Sequence, residues 1–155
     1  MRLKNMVLGT AVALLTFFVS LPTAQAKPYI DNVPDYTAVI TAFQIVDTAE
    51  QYLGVSYCHG GTSPQCFDCS GFTRYVYSLR GIDIPRIADD QYRSATPVSS
   101  DEAVPGDLVF FLSNGYAYHV GIYVGDGKVL HSPHPGAHVR LETIWTDNVR
   151  FGKFW

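Results

Sequence analysis

Residues 107–132 read DLVFFLSNGYAYHVGIYVGDGKVLHS, and this stretch decides the fold class. Two turn signals, Asn114-Gly115 and Gly125-Asp126-Gly127, divide it into three runs rich in aromatic and β-branched residues. Such runs predict strands joined as antiparallel hairpins. Two later segments have a similar composition. The predicted strands cover residues 107–112, 118–124, 128–132, 138–143 and 149–154.

The chain before this stretch has a helical pattern. Residues 38–53 carry apolar side chains at intervals of about three and four, and Gly54 follows as a helix end. Residues 69–80 repeat the pattern, with Asp68 as the candidate N-cap, and a short helix is predicted over residues 88–94. Helices followed by strands predict an α+β domain, with N-terminal helices packed on an antiparallel sheet.

The first 26 residues have the pattern of a secretory signal peptide. Arg2 and Lys4 precede an uncharged stretch, residues 6–21, and Ala24-Gln25-Ala26 is a small-residue cleavage site. An uncleaved membrane anchor is the alternative. The apolar run is shorter than the ~20 residues that a spanning helix needs, so we favour cleavage after Ala26.

Cleavage would leave residues 27–155 as a single domain, with a core over about residues 38–155. It would remove two cations and no anions, which changes the net charge from −3 to −5. An acidic protein does not favour nucleic acid or an anionic membrane surface. The sequence therefore predicts an exported protein, periplasmic or secreted, with no nucleic-acid partner and no stable membrane anchor after signal cleavage.

The chain contains three cysteines, Cys58, Cys66 and Cys69. In an oxidising compartment cysteines tend to pair, and an odd count leaves one thiol over. A disulfide between Cys58 and Cys66 is one hypothesis, which would brace the preceding loop and leave Cys69 free. At a helix start, backbone N–H groups would stabilise the Cys69 thiolate and later an oxyanion. The alternative is a buried structural cysteine.

Two of the five histidines, His119 and His131, lie on predicted neighbouring strands and could share one site. A three-residue Gly125-Asp126-Gly127 loop places His131 opposite Gly121 and diagonal to His119, whereas a two-residue loop turns it to the other face. We adopt the three-residue loop as the prediction. His119 would then accept the thiol proton, and His131 would hold its imidazole in the useful tautomer. Two ordinary surface histidines are the alternative.

Together these motifs resemble the NlpC-type cell-wall peptidases, a papain-like group of bacterial enzymes. The similarity extends from about Thr48 to His138. It rests, in chain order, on Tyr57, Gly60-Gly61, Asp68-Cys69-Ser70-Gly71-Phe72, Gly81-Ile82, Pro85-Arg86, Gln91, residues 105–111, residues 119–123 and His131. One departure is Cys58-His59, where the family often has an aromatic residue before the paired glycines.

The resemblance implies a function and a set of residue roles. The implied reaction is hydrolysis of peptidoglycan stem peptides, often between γ-D-glutamate and a diamino acid, with no metal and no cofactor. Protein partners are not predicted. The implied roles are a catalytic triad of Cys69, His119 and His131, an oxyanion contact from Tyr57, and a position beside the stem peptide, at a free amine, for Asp68 and Ser70.

Other interpretations stay open at this point. Soft metal ligands lie close together at Cys58, His59, Cys66 and Cys69. Only Cys66-x-x-Cys69 has a spacing typical of structural zinc, so a metal site is disfavoured. A non-catalytic wall-binding protein would keep the cleft without needing the triad. A secreted antibacterial toxin and an amidase are further alternatives on the same scaffold.

Overall fold

A six-stranded antiparallel sheet lies at the centre of the structure, a computed structural model that describes residues 36–155. The helices are α1 (Tyr36–Glu50), α2 (Cys69–Ser78) and α3 (Ala88–Ser94). The strands are β1 (Thr62–Ser63), β2 (Cys66–Phe67), β3 (Thr96–Val98), β4 (Leu108–Ser113), β5 (Tyr116–Gly125), β6 (Lys128–His131), β7 (Arg140–Thr143) and β8 (Val149–Lys153). The order in the large sheet is β3-β8-β4-β5-β6-β7, and β1 and β2 form a separate hairpin. The predicted α+β class is confirmed.

The predicted signal peptide, residues 1–26, lies outside the described residues. Within residues 36–155, no helix is both long enough and apolar enough to cross a membrane.

Helix α1 buries a narrower face than the sequence predicts. Its buried side chains include Ala42, Ile45 and Ala49, whereas Ile40 is 55% exposed and Leu53, beyond the helix end, is 50% exposed. Ile40 lies five residues before Ile45, which is about 140° around the helix axis. The apolar residues that suggested the helix therefore lie on two faces of α1, and only one of these faces contacts the core.

Helix α2 begins at the predicted N-cap. The Asp68 carboxylate accepts a hydrogen bond from the Gly71 N–H at 2.7 Å, which satisfies one of the free amides of the first turn. A Cβ at Gly71 would lie 1.9 Å from the Gly61 carbonyl oxygen. Only glycine therefore lets the start of α2 press against the preceding loop. The helix ends at Ser78, two residues before the predicted end.

The two faces of the large sheet carry cores of unequal size. The helices cover one face, where Phe72 and Val76 of α2 pack with Val120 and Ile122 of β5. The other face has a smaller cluster. Its buried members are Val109, Phe111 and Val129, with Ile144, Val149 and Phe151 packed against them. The smaller cluster lies on the side of the sheet that also carries His119, because Phe111 pairs with it across β4 and β5.

The hairpin of β5 and β6 has the predicted register, but its turn differs from the predicted one. Gly121 stands opposite His131, as predicted, and a Cβ on Gly121 would lie 2.9 Å from the His131 Cβ. The turn, however, has two residues, Asp126 and Gly127, with φ of 50° and 64°. Positive φ at both positions suits a type I′ turn, which matches the twist of the strands. The extra residue is instead a bulge at Val124.

Candidate active site

Cys69 is the first residue of α2, and its thiol is the free one. The backbone N–H groups of Val120 and Ser70, and the Ser70 hydroxyl, favour the thiolate form of Cys69 and act to lower its pKa. Burial, and then the Asp68 carboxylate, nevertheless raise the pKa of the Cys69 thiol. This corrects the expectation of a stabilised thiolate. Donors from the helix start and from β5 favour the thiolate, but desolvation and a neighbouring negative charge outweigh them.

The loop before α2 is closed by a disulfide bond between Cys58 and Cys66. The Gly60 N–H donates to the Asp68 carboxylate at 3.0 Å, and the Asp68 N–H donates to the Gly61 carbonyl at 3.1 Å. The cross-linked loop and the helix start are thus tied together. The bond engages two of the three sulfurs of the zinc interpretation, including that of Cys66 in the Cys66-x-x-Cys69 pair. Across residues 36–155 no group of three or more His, Cys, Asp or Glu side chains is arranged to hold a metal ion.

The two histidines are in direct contact on the second face of the sheet. Nε2 of His119 lies 2.7 Å from Nδ1 of His131, and the side chains are 7% and 1% exposed. Burial, and then the neighbouring His131, lower the pKa of His119 from 6.5 to about 3. Burial also lowers the pKa of His131. Both imidazoles are therefore neutral at pH 7.

Trp145 covers the histidine pair. Its ring stacks on Phe111 with the ring centroids 3.9 Å apart and the planes 4° from parallel. The same ring lies 5.8 Å from the His119 ring and 5.5 Å from the His131 ring, measured between centroids. The sequence analysis assigned Trp145 no role. The indole ring is part of the apolar surroundings that disfavour a charged imidazole.

Glu142 is another residue of this region for which the sequence predicted no role. Its Oε2 lies 2.7 Å from Nε2 of His131, and its Oε1 lies 2.8 Å from Nη2 of Arg140. Burial alone would raise the pKa of Glu142, but hydrogen bonds from Arg140 and His131 outweigh it and hold the pKa below its usual value. The only sequence signal was the alternation of Arg140 and Glu142 in a predicted strand.

Asp68 and Ser70 border the cavity in front of Cys69, but they are 8% and 5% exposed. The Arg86 guanidinium contacts both oxygens of the Asp68 carboxylate, and its Nη1 lies 3.1 Å from the Ser70 hydroxyl. Two backbone amides also donate to Asp68. The carboxylate is therefore occupied on both oxygens. Arg86 belongs to the Pro85-Arg86 motif, but the sequence predicted no role for it.

Tyr57 lines the same cavity as Cys69, which has a volume of about 500 Å³. Burial, and then the negative charges that Cys69 and Asp68 can carry, raise the pKa of the Tyr57 phenol. The phenol consequently stays protonated at neutral pH. A protonated hydroxyl near the sulfur is a suitable hydrogen-bond donor for negative charge that develops there.

Tyr118 stands between two cavities. It lines the cavity of Cys69 and also a second one of about 310 Å³, which contains His119, His131, Glu142 and Trp145. The β4–β5 register shifts here. Phe111 pairs with His119 and Leu112 with Ala117, which leaves Tyr118 as a bulged residue, 49% exposed. The Asp89 carboxylate accepts a hydrogen bond from the Ala117 N–H at 2.9 Å and anchors the bulge.

Comparison with known proteins shows the family of the chain. The model of the NlpC/P60 family matches residues 54–150. A probable endopeptidase p60 of Listeria seeligeri is 49% identical over 92 residues, which are 59% of this chain and 18% of that protein. A gamma-D-glutamyl-L-lysine dipeptidyl-peptidase of Bacillus subtilis (strain 168) is 41% identical over 117 residues, which are 74% of this chain and 40% of that protein.

The chain therefore spans less than half of the length of these two relatives. A solved structure of the NlpC/p60 domain of the peptidoglycan hydrolase SagA superposes with a TM-score of 0.65 and 40% identity, over 71% of this chain and 95% of that domain. The family model covers most of the chain, and the SagA domain is matched almost from end to end. The chain belongs to the NlpC/P60 family.

Proposed function

We propose that the chain is an exported cysteine peptidase that hydrolyses stem-peptide bonds of peptidoglycan. The observation that carries this proposal is the 2.7 Å contact between the two buried imidazoles, in a chain whose free thiol lies at the start of α2. In the proposed triad Cys69 is the nucleophile, His119 is the base and His131 orients the base. This is the nucleophile–base–orienter arrangement of cysteine proteases.

The resting pair is a thiol and a neutral imidazole, because the pKa of Cys69 is raised and that of His119 is lowered. In the proposed mechanism the thiol proton passes to His119 as the sulfur attacks the substrate carbonyl. Backbone N–H groups at the start of α2 and the Tyr57 hydroxyl stabilise the oxyanion. His119 then gives its proton to the leaving amine, and water hydrolyses the resulting thioester.

The proposed substrate is the bond between γ-D-glutamate and a diamino acid. The support is similarity to a Bacillus subtilis protein named as a gamma-D-glutamyl-L-lysine dipeptidyl-peptidase. The cavity in front of Cys69 would receive the γ-D-glutamyl side, and the cavity beside the histidines would receive the diamino acid. We assign Asp68 and Ser70 to the wall of the first cavity, at the end that would receive a free amine.

Export is part of the proposal. The support is the signal-peptide pattern of residues 1–26 together with the Cys58–Cys66 disulfide, since disulfides persist mainly in oxidising compartments. The expected location is the periplasm or the outside of the cell.

The test is digestion of purified peptidoglycan, with released fragments identified by mass spectrometry. Cys69→Ala is compared with Ser78→Ala, which removes one heavy atom from the exposed far end of the same helix. We expect stem-peptide fragments from the wild type and Ser78→Ala, and none from Cys69→Ala. Release by Cys69→Ala would exclude it as the nucleophile. Binding without release by any of the three would support a wall-binding protein.

A further inference from the structure

Three neighbouring strands bring a carboxylate into line with the two histidines. His119 is on β5, His131 on β6 and Glu142 on β7, and the strands are adjacent in that order. His131 pairs with Arg140 and Val129 pairs with Glu142 across β6 and β7, so all four side chains lie on one face. The contacts from His119 to His131 and from His131 to Glu142 are both 2.7 Å.

The chemistry of these groups allows one assignment of protons. An ionised carboxylate only accepts hydrogen bonds, and the Arg140 contact at 2.8 Å favours the ionised form of Glu142. His131 must then carry its proton on Nε2, which leaves a lone pair on Nδ1. Because that Nδ1 faces His119, the proton of His119 must be on Nε2. The lone pair of His119 consequently lies on Nδ1.

We propose that Glu142 is a positioning residue that sets the tautomers of both histidines and thereby places the basic lone pair of His119 on Nδ1. The effect on catalysis rests on the proposed function, whereas the effect on the tautomers does not. In the first step the Sγ–H bond of Cys69 breaks and an Nδ1–H bond of His119 forms. No other proton moves. The charge that appears on His119 is balanced, through neutral His131, by the Glu142 carboxylate.

Two variants separate the hydrogen bond from the charge. Glu142→Leu removes the acceptor, whereas Glu142→Gln removes the charge and keeps an oxygen that can accept from His131. Glu142 is about one-third exposed on the edge strand β7, so neither change disturbs the core. Glu102→Gln, at an exposed glutamate outside the site, is the matched control.

The first readout is the tautomer of each histidine, measured on ¹⁵N-histidine-labelled full-length protein through long-range ¹H–¹⁵N couplings. We expect Nε2–H on both His119 and His131 in the wild type, Glu102→Gln and Glu142→Gln. In Glu142→Leu we expect His131 to lose this preference. A wild type with Nδ1–H on either histidine, or a Glu142→Leu variant with unchanged tautomers, would overturn the proposal.

The second readout is the rate at which iodoacetamide alkylates Cys69, which needs no peptidoglycan. We expect a decrease of about 10- to 100-fold in Glu142→Leu, by analogy with the loss of a carboxylate that orients a metal-bound histidine, and a smaller decrease in Glu142→Gln. Equal rates in the wild type and Glu142→Leu would count against the role of Glu142. If the wild type releases no stem peptides while tautomers and alkylation respond as expected, the proposed function fails and the positioning role of Glu142 stands.

Discussion

Acidification from pH 7 to pH 5 should destabilise the protein through its buried imidazoles, of which His119 allows a magnitude to be worked out. Burial, and then His131, hold the pKa of His119 at about 3 in the folded protein, whereas an unfolded chain has the ordinary 6.5. Below pH 6.5 the unfolded chain therefore binds a proton that the folded protein does not. The stability that His119 contributes is present above pH 6.5 and is lost progressively as the pH falls towards 3.

The magnitude follows from the distance between pH 5 and the unfolded pKa. That distance is about 1.5 pH units, and each unit corresponds to about 1.4 kcal/mol, so His119 alone should lower the free energy of unfolding by about 2 kcal/mol. Any folded pKa below about 4 gives the same loss at pH 5, because His119 is then still neutral in the folded state.

The assay is urea unfolding at pH 7 and pH 5 for the wild type, His119→Gln and His138→Gln. Glutamine does not titrate, and its amide can still donate to Nδ1 of His131. His138 is exposed and serves as the matched control. The wild type and His138→Gln should each lose about 2 kcal/mol more than His119→Gln between the two pH values. Equal losses in all three proteins would refute a neutral, buried His119.

Three further predictions follow from the site and its loop. The pH profile of kcat/KM on a stem peptide should be a broad bell. Its acid limb should lie below pH 6.5 because His119 stays neutral, and its alkaline limb should be shifted upward by the raised pKa of Cys69. An acid limb at or above pH 6.5 would contradict this. Replacing both Cys58 and Cys66 by serine should lower the free energy of unfolding by about 2–3 kcal/mol, measured in urea; an unchanged unfolding midpoint would argue against it. Gly121→Ala would place a Cβ 2.3 Å from a β6 side chain, and the resulting displacement should lower activity by about 100-fold; activity at the wild-type level would show that the hairpin absorbs the methyl group.

Local patterns were sufficient to predict the helix that carries Cys69 and the hairpin that carries the histidines. Asp68 is the N-cap because a short acidic side chain before an apolar repeat can accept from the first turn. Asp126 and Gly127 form a turn because both tolerate positive φ. The sequence also predicted that His131 stands opposite Gly121, although it attributed the register to the turn instead of the bulge at Val124.

Features that depend on tertiary packing were not accessible in this way. The connection between β6 and β7 includes Pro133, Pro135 and Gly136 and no tight two-residue turn, so the sequence could not fix the register that brings Glu142 to His131. The direction of the thiol pKa was also missed. A helix start stabilises negative charge, but burial of Cys69 against β5 is a property of the folded chain and outweighs it.

The bulge at Tyr118 divides β5 into two stretches, and a change in the length of one need not alter the other. On its C-terminal side the alternation of side chains must keep His119 and Gly121 on the face of the histidine pair. On its N-terminal side Ala117 faces the helices. From Ala117 to the hairpin tip at Asn114, side chains alternate between the two faces independently of the stretch that carries His119. Lengthening that tip by one residue pair would extend the cleft wall without moving the base. The tip is thus the natural place to graft new substrate preferences onto this scaffold.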